Sequence, residues 1–371
     1  LAFTMEGAEG GGTVSIENAT WRPTRWTFSD GAENMVVELS GEVALGEIRV
    51  PARIEQIGRQ GERAVVEIAD VRAADAKDAS MLAPDLSAPR DTRFDAGVPA
   101  RLEVKRAPTG HLLVHPLVNG QDVGWFIFDT GAGANVLSTS AQEALGLETF
   151  GDLPAVGVGG TTRTAFLRPE TLTLGCATFE RPLMIQLDLA FLTPHMGVEV
   201  GGIVGYSVLA RTISEVDLAR AEISIHDPAT YRRVDEHWAE LIVKDRVPCV
   251  KASFEGHEGW FRIDTGANSS VTIHEPAVRR LGLLEGRETS DTKLGGVGGF
   301  VPAKAGVLAW FELGGTRVDG VRAGFATEAK GAFAESRTIG NIGTKLLEPF
   351  VLVLDYPHGR IAFVPREAAT E

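Results

Sequence analysis

Long apolar runs are missing from this sequence. No stretch approaches the roughly 18 residues that a membrane-spanning helix needs, so we expect no membrane span. Clusters of Lys or Arg are missing too, since 36 basic residues stand against 50 acidic ones and the net charge is −14 at pH 7. A chain this acidic repels nucleic acid unless a basic patch overrides the field, and we therefore expect no nucleic-acid partner.

Cysteine is scarce as well. Cys176 and Cys249 are the only two, too few for a disulfide framework, and we interpret both as free thiols. A signal-peptide pattern is also missing, but the sequence opens at Leu1 rather than Met, which leaves export open. The compartment is unknown from the sequence. Export, periplasmic or secreted, is the preferred alternative, with the targeting segment absent from this chain.

Stretches with helical periodicity are few. The chain has 371 residues, enough for two or three domains, and 43 of them are Gly. Short runs rich in Val, Ile, Phe and Thr recur between Gly-containing turns. This pattern is typical of a mostly β protein with tight turns.

An internal repeat organises the chain. Gly124–Ala132 and Gly259–Ala267 agree at seven of nine positions, and their Asp residues lie 135 residues apart. Each copy continues with a short helical stretch ending in Leu-Gly-Leu, a glycine-rich loop, a late Ile-Val-Gly or Asn-Ile-Gly element and a hairpin-like pattern. A repeat of this length indicates a duplicated domain.

The repeat sets the expected domain organisation. It predicts two homologous lobes in tandem at residues 100–228 and 238–366, with an inter-lobe linker at 229–237. Residues 1–72 have no counterpart in the repeat, and their alternating apolar segments predict a small accessory β domain. Residues 73–99 are rich in Ala, Asp and Pro, and we interpret them as a linker.

The sequence Asp-Thr-Gly occurs once in each copy, with the aspartates at positions 129 and 264. Amide hydrolysis can use two carboxylates that share one proton, because like charges about 3 Å apart cannot both ionise easily. The ionised carboxylate then acts as general base on a water molecule, and the protonated one donates to the scissile carbonyl oxygen. We therefore predict Asp129 and Asp264 as a catalytic pair that needs no metal and no cofactor.

The residues after each aspartate have supporting roles in this hypothesis. Thr130 and Thr265 can form hydrogen bonds across the junction between the lobes. Gly131 and Gly266 allow the chain to turn sharply and the two loops to approach closely.

These motifs resemble the aspartic protease superfamily, and within it the retropepsin-like enzymes. The elements that carry the resemblance are Ile127–Ala132, Gly157–Gly160 and Ile203–Gly205 in the first copy, and Arg262–Ala267, Gly296–Gly299 and Asn341–Gly343 in the second. The resemblance covers residues 100–366. It implies two β-barrel-like lobes with a cleft between them, and a peptide or protein substrate bound in extended form.

The resemblance also implies that the glycine-rich loops are flaps over the substrate. The residues assigned to these flaps are Gly157, Gly159, Gly160, Gly296, Gly298 and Gly299. Because each copy carries one aspartate, we expect a functional monomer that acts as an aspartic endopeptidase. The alternative is a catalytically inactive peptide-binding module on the same fold.

The sequence departs from the family pattern at several positions. Arg262 replaces an apolar residue before the second aspartate, and Asn341 replaces one in the second late element. Neither flap carries the tyrosine found in pepsins. Ala132 and Ala267 follow the two Asp-Thr-Gly motifs, where pepsins commonly have a hydroxyl residue. The loss of those donors predicts a carboxylate pair that titrates at higher pH than in pepsins.

Other chemistries have weaker support. His111 and His115 lack the glutamate of a His-Glu-x-x-His zinc motif, and we interpret them as ordinary histidines. The glycine-rich loops lack the Lys-Ser/Thr of a phosphate-binding loop, and Ser269 and Ser270 lack a nucleophile elbow. A duplicated β domain that uses Asp-Thr-Gly only as a tight turn stays open as an alternative.

Overall fold

The computed structural model describes residues 2–7, 10–29, 34–57, 63–72, 91–233 and 238–366. The chain divides into two compact units, Leu1–Ala88 and Pro89–Glu371. Within the described residues, no helix has both the length and the apolar character needed to cross a membrane.

The first unit is a single antiparallel sheet of six strands in the order β1-β2-β3-β4-β7-β8, with a separate hairpin β5-β6. Its strands are β1 Ala2–Gly7, β2 Gly10–Ile16, β3 Pro23–Ser29, β4 Asn34–Ser40, β5 Val43–Leu45, β6 Ile48–Val50, β7 Arg53–Ile57 and β8 Arg63–Glu67. The small β domain predicted for residues 1–72 thus corresponds to a sheet. The segments of that range in which apolar and polar residues alternate lie in β4, β6 and β8.

The first lobe of the second unit begins earlier than predicted. Its strands are β9 Thr92–Phe94, β10 Val104–Arg106, β11 Leu112–Val114, β12 Leu117–Val118, β13 Gln121–Asp122, β14 Trp125–Phe128, β15 Asn135–Ser138, β16 Thr149–Gly157, β17 Gly160–Leu167, β18 Thr171–Leu174, β19 Ala177–Glu180, β20 Met184–Leu187 and β21 Val200–Val204. β9 falls inside the range 73–99 that the sequence assigned to a linker, yet it pairs with β19. Residues 73–90 lie outside the described part.

The second lobe repeats the same strands with longer hairpins. Its strands are β25 Ile242–Lys244, β26 Val247–Phe254, β27 His257–Ile263, β28 Val271–Ile273, β29 Ser290–Gly296, β30 Gly299–Leu313, β31 Thr316–Ala326 and β32 Gly340–Ile342. The short helices of both lobes are α1 Thr139–Leu145, α2 Thr193–Met196, α3 Tyr206–Leu209, α4 Glu275–Arg280 and α5 Thr344–Leu347, and 3₁₀ turns lie at Ala190–Leu192, Gly331–Ala334 and Tyr356–His358.

The two large sheets have equivalent topology. The order is β10-β11-β14-β21-β15-β20-β17-β16 in the first lobe and β25-β26-β27-β32-β28-β31-β30-β29 in the second. In each, one central strand pairs in parallel with the strand that carries the aspartate: β21 with β14, and β32 with β27. The mostly β fold with two tandem homologous lobes is therefore confirmed.

A five-stranded sheet joins the lobes. It contains β22 Ile213–Asp217, β23 Glu222–His226, β24 Trp238–Glu240, β33 Phe350–Asp355 and β34 Arg360–Pro365 in the order β23-β22-β33-β34-β24. The two closing hairpins of the repeat pair edge to edge through β22 and β33. The predicted linker at 229–237 falls between β23 and β24, and residues 234–237 lie outside the described part.

The core explains why the aspartate-bearing strands are so apolar. Phe126, Ile127 and Phe128 in β14 are buried, as are Phe261 and Ile263 in β27. A strand buried on both faces loses the alternation of polar and apolar residues, because neither face meets water. Each of these strands leads directly into an Asp-Thr-Gly turn.

Candidate active site

The two aspartates follow equivalent strands. Asp129 lies directly after β14, and its backbone N–H donates to the carbonyl oxygen of Val204 over 3.0 Å. Asp264 lies directly after β27, and its N–H donates to the carbonyl oxygen of Ile342 over 2.9 Å. Both acceptors belong to the parallel neighbour strands, so the parallel pairing holds each aspartate at the same place in its lobe.

The two threonines interlock the lobes. The hydroxyl oxygen of each accepts the backbone N–H of the other, over 3.0 Å in both directions. Thr130 Oγ1 also donates to the carbonyl oxygen of Ile263 over 2.7 Å, and Thr265 Oγ1 donates to that of Phe128 over 2.8 Å. Both threonines are buried, so these four bonds are shielded from water. The predicted contact across the junction is therefore present and symmetric.

The glycines let each carboxylate lie against the opposite loop. A Cβ atom added at Gly131 would lie 2.6 Å from Oδ1 of Asp264, and one added at Gly266 would overlap the carboxylate of Asp129. The Gly131 N–H also donates to Asp129 Oδ1 over 2.7 Å. Any side chain at these positions would push the two carboxylates apart, which is the physical reason for glycine here.

Burial dominates the electrostatics of the pair. It raises the pKa of Asp129 to about 7, and the neighbouring charge of Asp264 acts in the same direction against hydrogen bonds from backbone N–H groups. Burial also raises the pKa of Asp264, against the hydrogen bond from Asn341 and the charge of Arg262. The pair is therefore suited to hold one proton near neutral pH.

The surroundings of the two aspartates differ. Asn341 Nδ2 donates to Asp264 Oδ2 over 2.8 Å. Arg262 is buried next to this site and forms an ion pair with Glu335 over 3.1 Å. The equivalent residues of the first lobe are apolar. Ile127 occupies the position of Arg262, and Ile203 occupies the position of Asn341, as the pairing of the strands shows. The two departures from the family pattern thus converge on one aspartate.

His111, which the sequence marks only as an ordinary histidine, contacts the loop that carries Asp264. Its Nε2 lies 2.9 Å from the carbonyl oxygen of Gly266, and its Nδ1 lies 2.7 Å from the hydroxyl of Thr109. The imidazole of the first lobe therefore supports the loop of the second aspartate. The internal repeat gives no signal for this contact. The residue at the equivalent position in the second lobe is Val247, whose side chain cannot form a hydrogen bond.

His115 is placed differently. Its Nε2 lies 2.8 Å from Asp122 Oδ1, and its ring stacks on Trp125. Across the part of the chain that the structure describes, no group of three or more His, Cys, Asp or Glu residues is arranged to hold a metal ion.

The two glycine-rich loops are hairpin tips that meet each other. β16 and β17 pair up to Gly157 and Gly160, and β29 and β30 pair up to Gly296 and Gly299. The N–H of Gly159 in the first tip donates to the carbonyl oxygen of Val297 in the second over 2.9 Å.

Glycine is required where the tips touch. A Cβ atom added at Gly159 would overlap the carbonyl oxygen of Gly298. Gly298 and Gly299 have positive φ angles of 84° and 114°, which residues with a side chain rarely adopt. The close approach and the tight turn therefore explain the glycine-rich sequence of the loops.

Each tip also packs on the opposite lobe. Val158 of the first tip contacts a cluster of Val301, Ala326 and Phe333 in the second lobe. Val297 of the second tip contacts a cluster in the first lobe that includes Val200 and Ile203 of the strand β21. This crossed arrangement holds the tips together in the conformation described.

A cavity of about 300 Å³ lies beside the second tip. Its lining combines polar and apolar groups from the first lobe with the second hairpin tip: Thr139, Arg163, Gln186, Leu187, Asp188, Phe191, Val297 and Gly298. A mixed lining of this kind can hold a side chain of an extended peptide.

Comparison with known proteins agrees with this geometry. A family model described as aspartyl protease matches the chain twice, at residues 114–208 and 250–345, which together make up more than half of it. Each match contains one Asp-Thr-Gly motif and the late glycine element of its lobe. A search of the curated proteins returned no match to this chain.

Proposed function

Because the chain belongs to the aspartyl protease family, we propose that it is an aspartic endopeptidase whose catalytic pair is Asp129 and Asp264. The observation that carries this proposal is the placement of two partly buried carboxylates against each other's loops. A tight turn alone would need neither the burial nor the raised pKa of these aspartates. Both features are costly for folding and useful for chemistry.

The reaction follows from one shared proton. The ionised carboxylate takes a proton from a water molecule held between the two side chains, and the resulting oxygen attacks the scissile carbonyl carbon. The protonated carboxylate gives its proton to the carbonyl oxygen as the tetrahedral intermediate forms. Collapse of the intermediate then transfers a proton to the amide nitrogen, which leaves as an amine. No covalent bond to the protein forms in these steps.

The substrate that fits this site is a peptide in extended form. Flap closure over such a peptide would exclude water from the carboxylates, which strengthens their electrostatic interactions. Since each lobe supplies one aspartate, a single chain contains the complete pair, and we propose that the active species is a monomer.

Hydrolysis of internally quenched peptides tests this proposal. Asp129→Asn and Asp264→Asn should each abolish turnover without unfolding the protein, because one carboxyl group cannot serve as both acid and base. Asp319→Asn is the matched control, since Asp319 lies on an exposed hairpin and its loss should leave the rate unchanged. In H₂¹⁸O, mass spectrometry should find one ¹⁸O atom in each new carboxyl terminus.

Two results would contradict the proposal. Near-normal turnover in either Asn variant would exclude a catalytic pair. Tight peptide binding without any turnover in the unmodified chain would instead support the alternative, a peptide-binding module on the same fold.

A further inference from the structure

A chain of buried polar groups lies behind Asp264. Asn341, which donates to Asp264, has its Oδ1 atom 2.8 Å from Nε2 of His274. Nδ1 of the same imidazole lies 3.3 Å from the hydroxyl of Thr338. His274 is 0% exposed, and Thr338 and Asn341 are also buried. Buried polar groups are costly unless hydrogen-bonded, and here each one bonds to the next.

The direction of these hydrogen bonds follows from the chemistry of the groups. An amide oxygen can only accept, so Nε2 of His274 must carry the proton that bonds to Asn341. Nδ1 of the neutral ring is then an acceptor, and the Thr338 hydroxyl donates to it. With its oxygen occupied, Asn341 turns its NH₂ group toward Asp264, where it needs an acceptor. An ionised carboxylate is acceptor-only and meets this need.

The histidine keeps this form over a wide pH range. Burial lowers the pKa of His274 to about 4, and the charge of Arg262 acts in the same direction. The ring is therefore neutral near neutral pH, where the pair of aspartates holds one proton.

The first lobe has no such chain. His274 occupies the N-cap position of α4, and the N-cap position of α1 is Ser138, whose hydroxyl accepts the N–H of Ala141. The position equivalent to Asn341 is Ile203. Asp129 accepts its hydrogen bonds from backbone N–H groups of the two Asp-Thr-Gly loops.

We propose that Thr338, His274 and Asn341 form a relay that keeps Asp264 ionised as the general base and leaves the shared proton on Asp129. This assignment rests on the proposed peptidase function. His274 and Asn341 act as positioning residues, because neither is placed to touch the substrate or the reacting water. The relay orients the side-chain amide of Asn341, and the N–H of that amide stabilises the ionised form of Asp264.

Other charged groups also act on the relay. The titratable and charged groups that face Asp264 and His274 from the surrounding strands and loops are Asp129, His111, Arg262 and Glu335. Arg262 favours the ionised form of Asp264, as the relay does. Burial raises the pKa of Glu335, but hydrogen bonds from Arg337 and the charge of Arg262 outweigh it and lower that pKa to about 2. Glu335 thus stays ionised and offsets part of the arginine charge.

A carboxyl titration by NMR tests the relay without using peptidase activity. In an Asp129→Asn chain labelled with ¹³C at the Asp side-chain carboxyls, Asp264 is the one titrating member of the pair, and Asp264→Asn identifies its signal. Adding Asn341→Leu should raise the pKa of Asp264 by about one to two units, because a hydrogen bond to a charged group is lost. Ile203→Leu, at the equivalent place in the first lobe, is the control and should cause no shift.

Variants of the histidine test the second link. His274→Leu should shift the pKa of Asp264 in the same direction by a smaller amount, and it should add nothing once Asn341 is Leu. His274→Gln keeps an N–H donor and should restore the original value. It also keeps the proposal testable if the Leu variants do not fold.

The outcomes separate the relay from the proposed function. A pKa of Asp264 that falls or does not move in the Asn341→Leu chain overturns the relay, whatever the activity. In the active protein, the same substitution should move the acidic limb of the kcat/KM profile upward by about one to two pH units. A shift seen by NMR, together with no peptidase activity in the unmodified chain, would leave the effect of Asn341 on Asp264 standing and contradict the proposed function.

Discussion

Replacement of Thr130 by Val tests whether the interlock between the lobes stabilises the fold. The substitution removes a hydroxyl that donates to Ile263 over 2.7 Å and accepts from Thr265 over 3.0 Å. A buried carbonyl and a buried N–H would then each lose a partner, at about 1–3 kcal/mol apiece. We expect a loss of about 2–6 kcal/mol in the free energy of unfolding, large against the roughly 5–15 kcal/mol that is typical of a domain.

Urea unfolding, followed by tryptophan fluorescence, measures this loss. Thr265→Val should cost as much as Thr130→Val, because its hydroxyl makes the mirror-image pair of bonds. Thr130→Ser keeps the hydroxyl and should lose only the methyl contribution, about 1 kcal/mol. The reasoning is refuted if Thr130→Val costs less than about 0.5 kcal/mol, or if Ser proves as damaging as Val.

Three further expectations concern the flaps, the pH dependence and the first unit. Gly159→Val should overlap Gly298, separate the flap tips and lower kcat/KM about tenfold to a hundredfold with little change in Tm, whereas an unchanged rate would exclude a flap role. Burial and its neighbour's charge raise the pKa of Asp129 to about 7, so the shared proton is lost above that pH. A second proton neutralises the pair at low pH, and rates measured from pH 2 to 9 should peak at about pH 5 to 6, while a flat profile would contradict a shared proton. A chain that begins at Pro89 should fold and hydrolyse small peptides, whereas one that begins at Ala100 also loses the strand β9 and should have a lower Tm in a thermal scan. An inactive but folded chain from Pro89 would show that the first unit shapes the site.

The repeat made much of the fold predictable. Identical motifs in two copies imply identical local structure, so the strand, the Asp-Thr-Gly turn and the late glycine element of both lobes could be predicted from the sequence. The closing hairpins were also predictable, because their alternating pattern is local. Their pairing across the lobes was not, since β22 and β33 meet only through tertiary contacts.

The polar network around Asp264 could not be predicted for a similar reason. Arg262 and Asn341 stood out as departures, but the partner His274 lies 67 residues from Asn341 in sequence. A buried histidine at a helix start resembles many structural histidines. Only the folded sheet places His274 within hydrogen-bonding distance of the Asn341 side chain. The strand β9 was missed because the Ala- and Pro-rich sequence before it indicates a linker.

The divergence between the two lobes has a consequence for how the proposed peptide substrate would bind. In a homodimer built on the same motifs, a two-fold axis makes the halves identical, so a peptide can lie in either direction with equal energy. Here Asn341 and Arg262 stand on one side only, opposite Ile203 and Ile127. The two directions of a bound peptide are therefore no longer equivalent. If the chain cuts peptides as proposed, its site distinguishes the amino-terminal side of the cleaved bond from the carboxyl-terminal side.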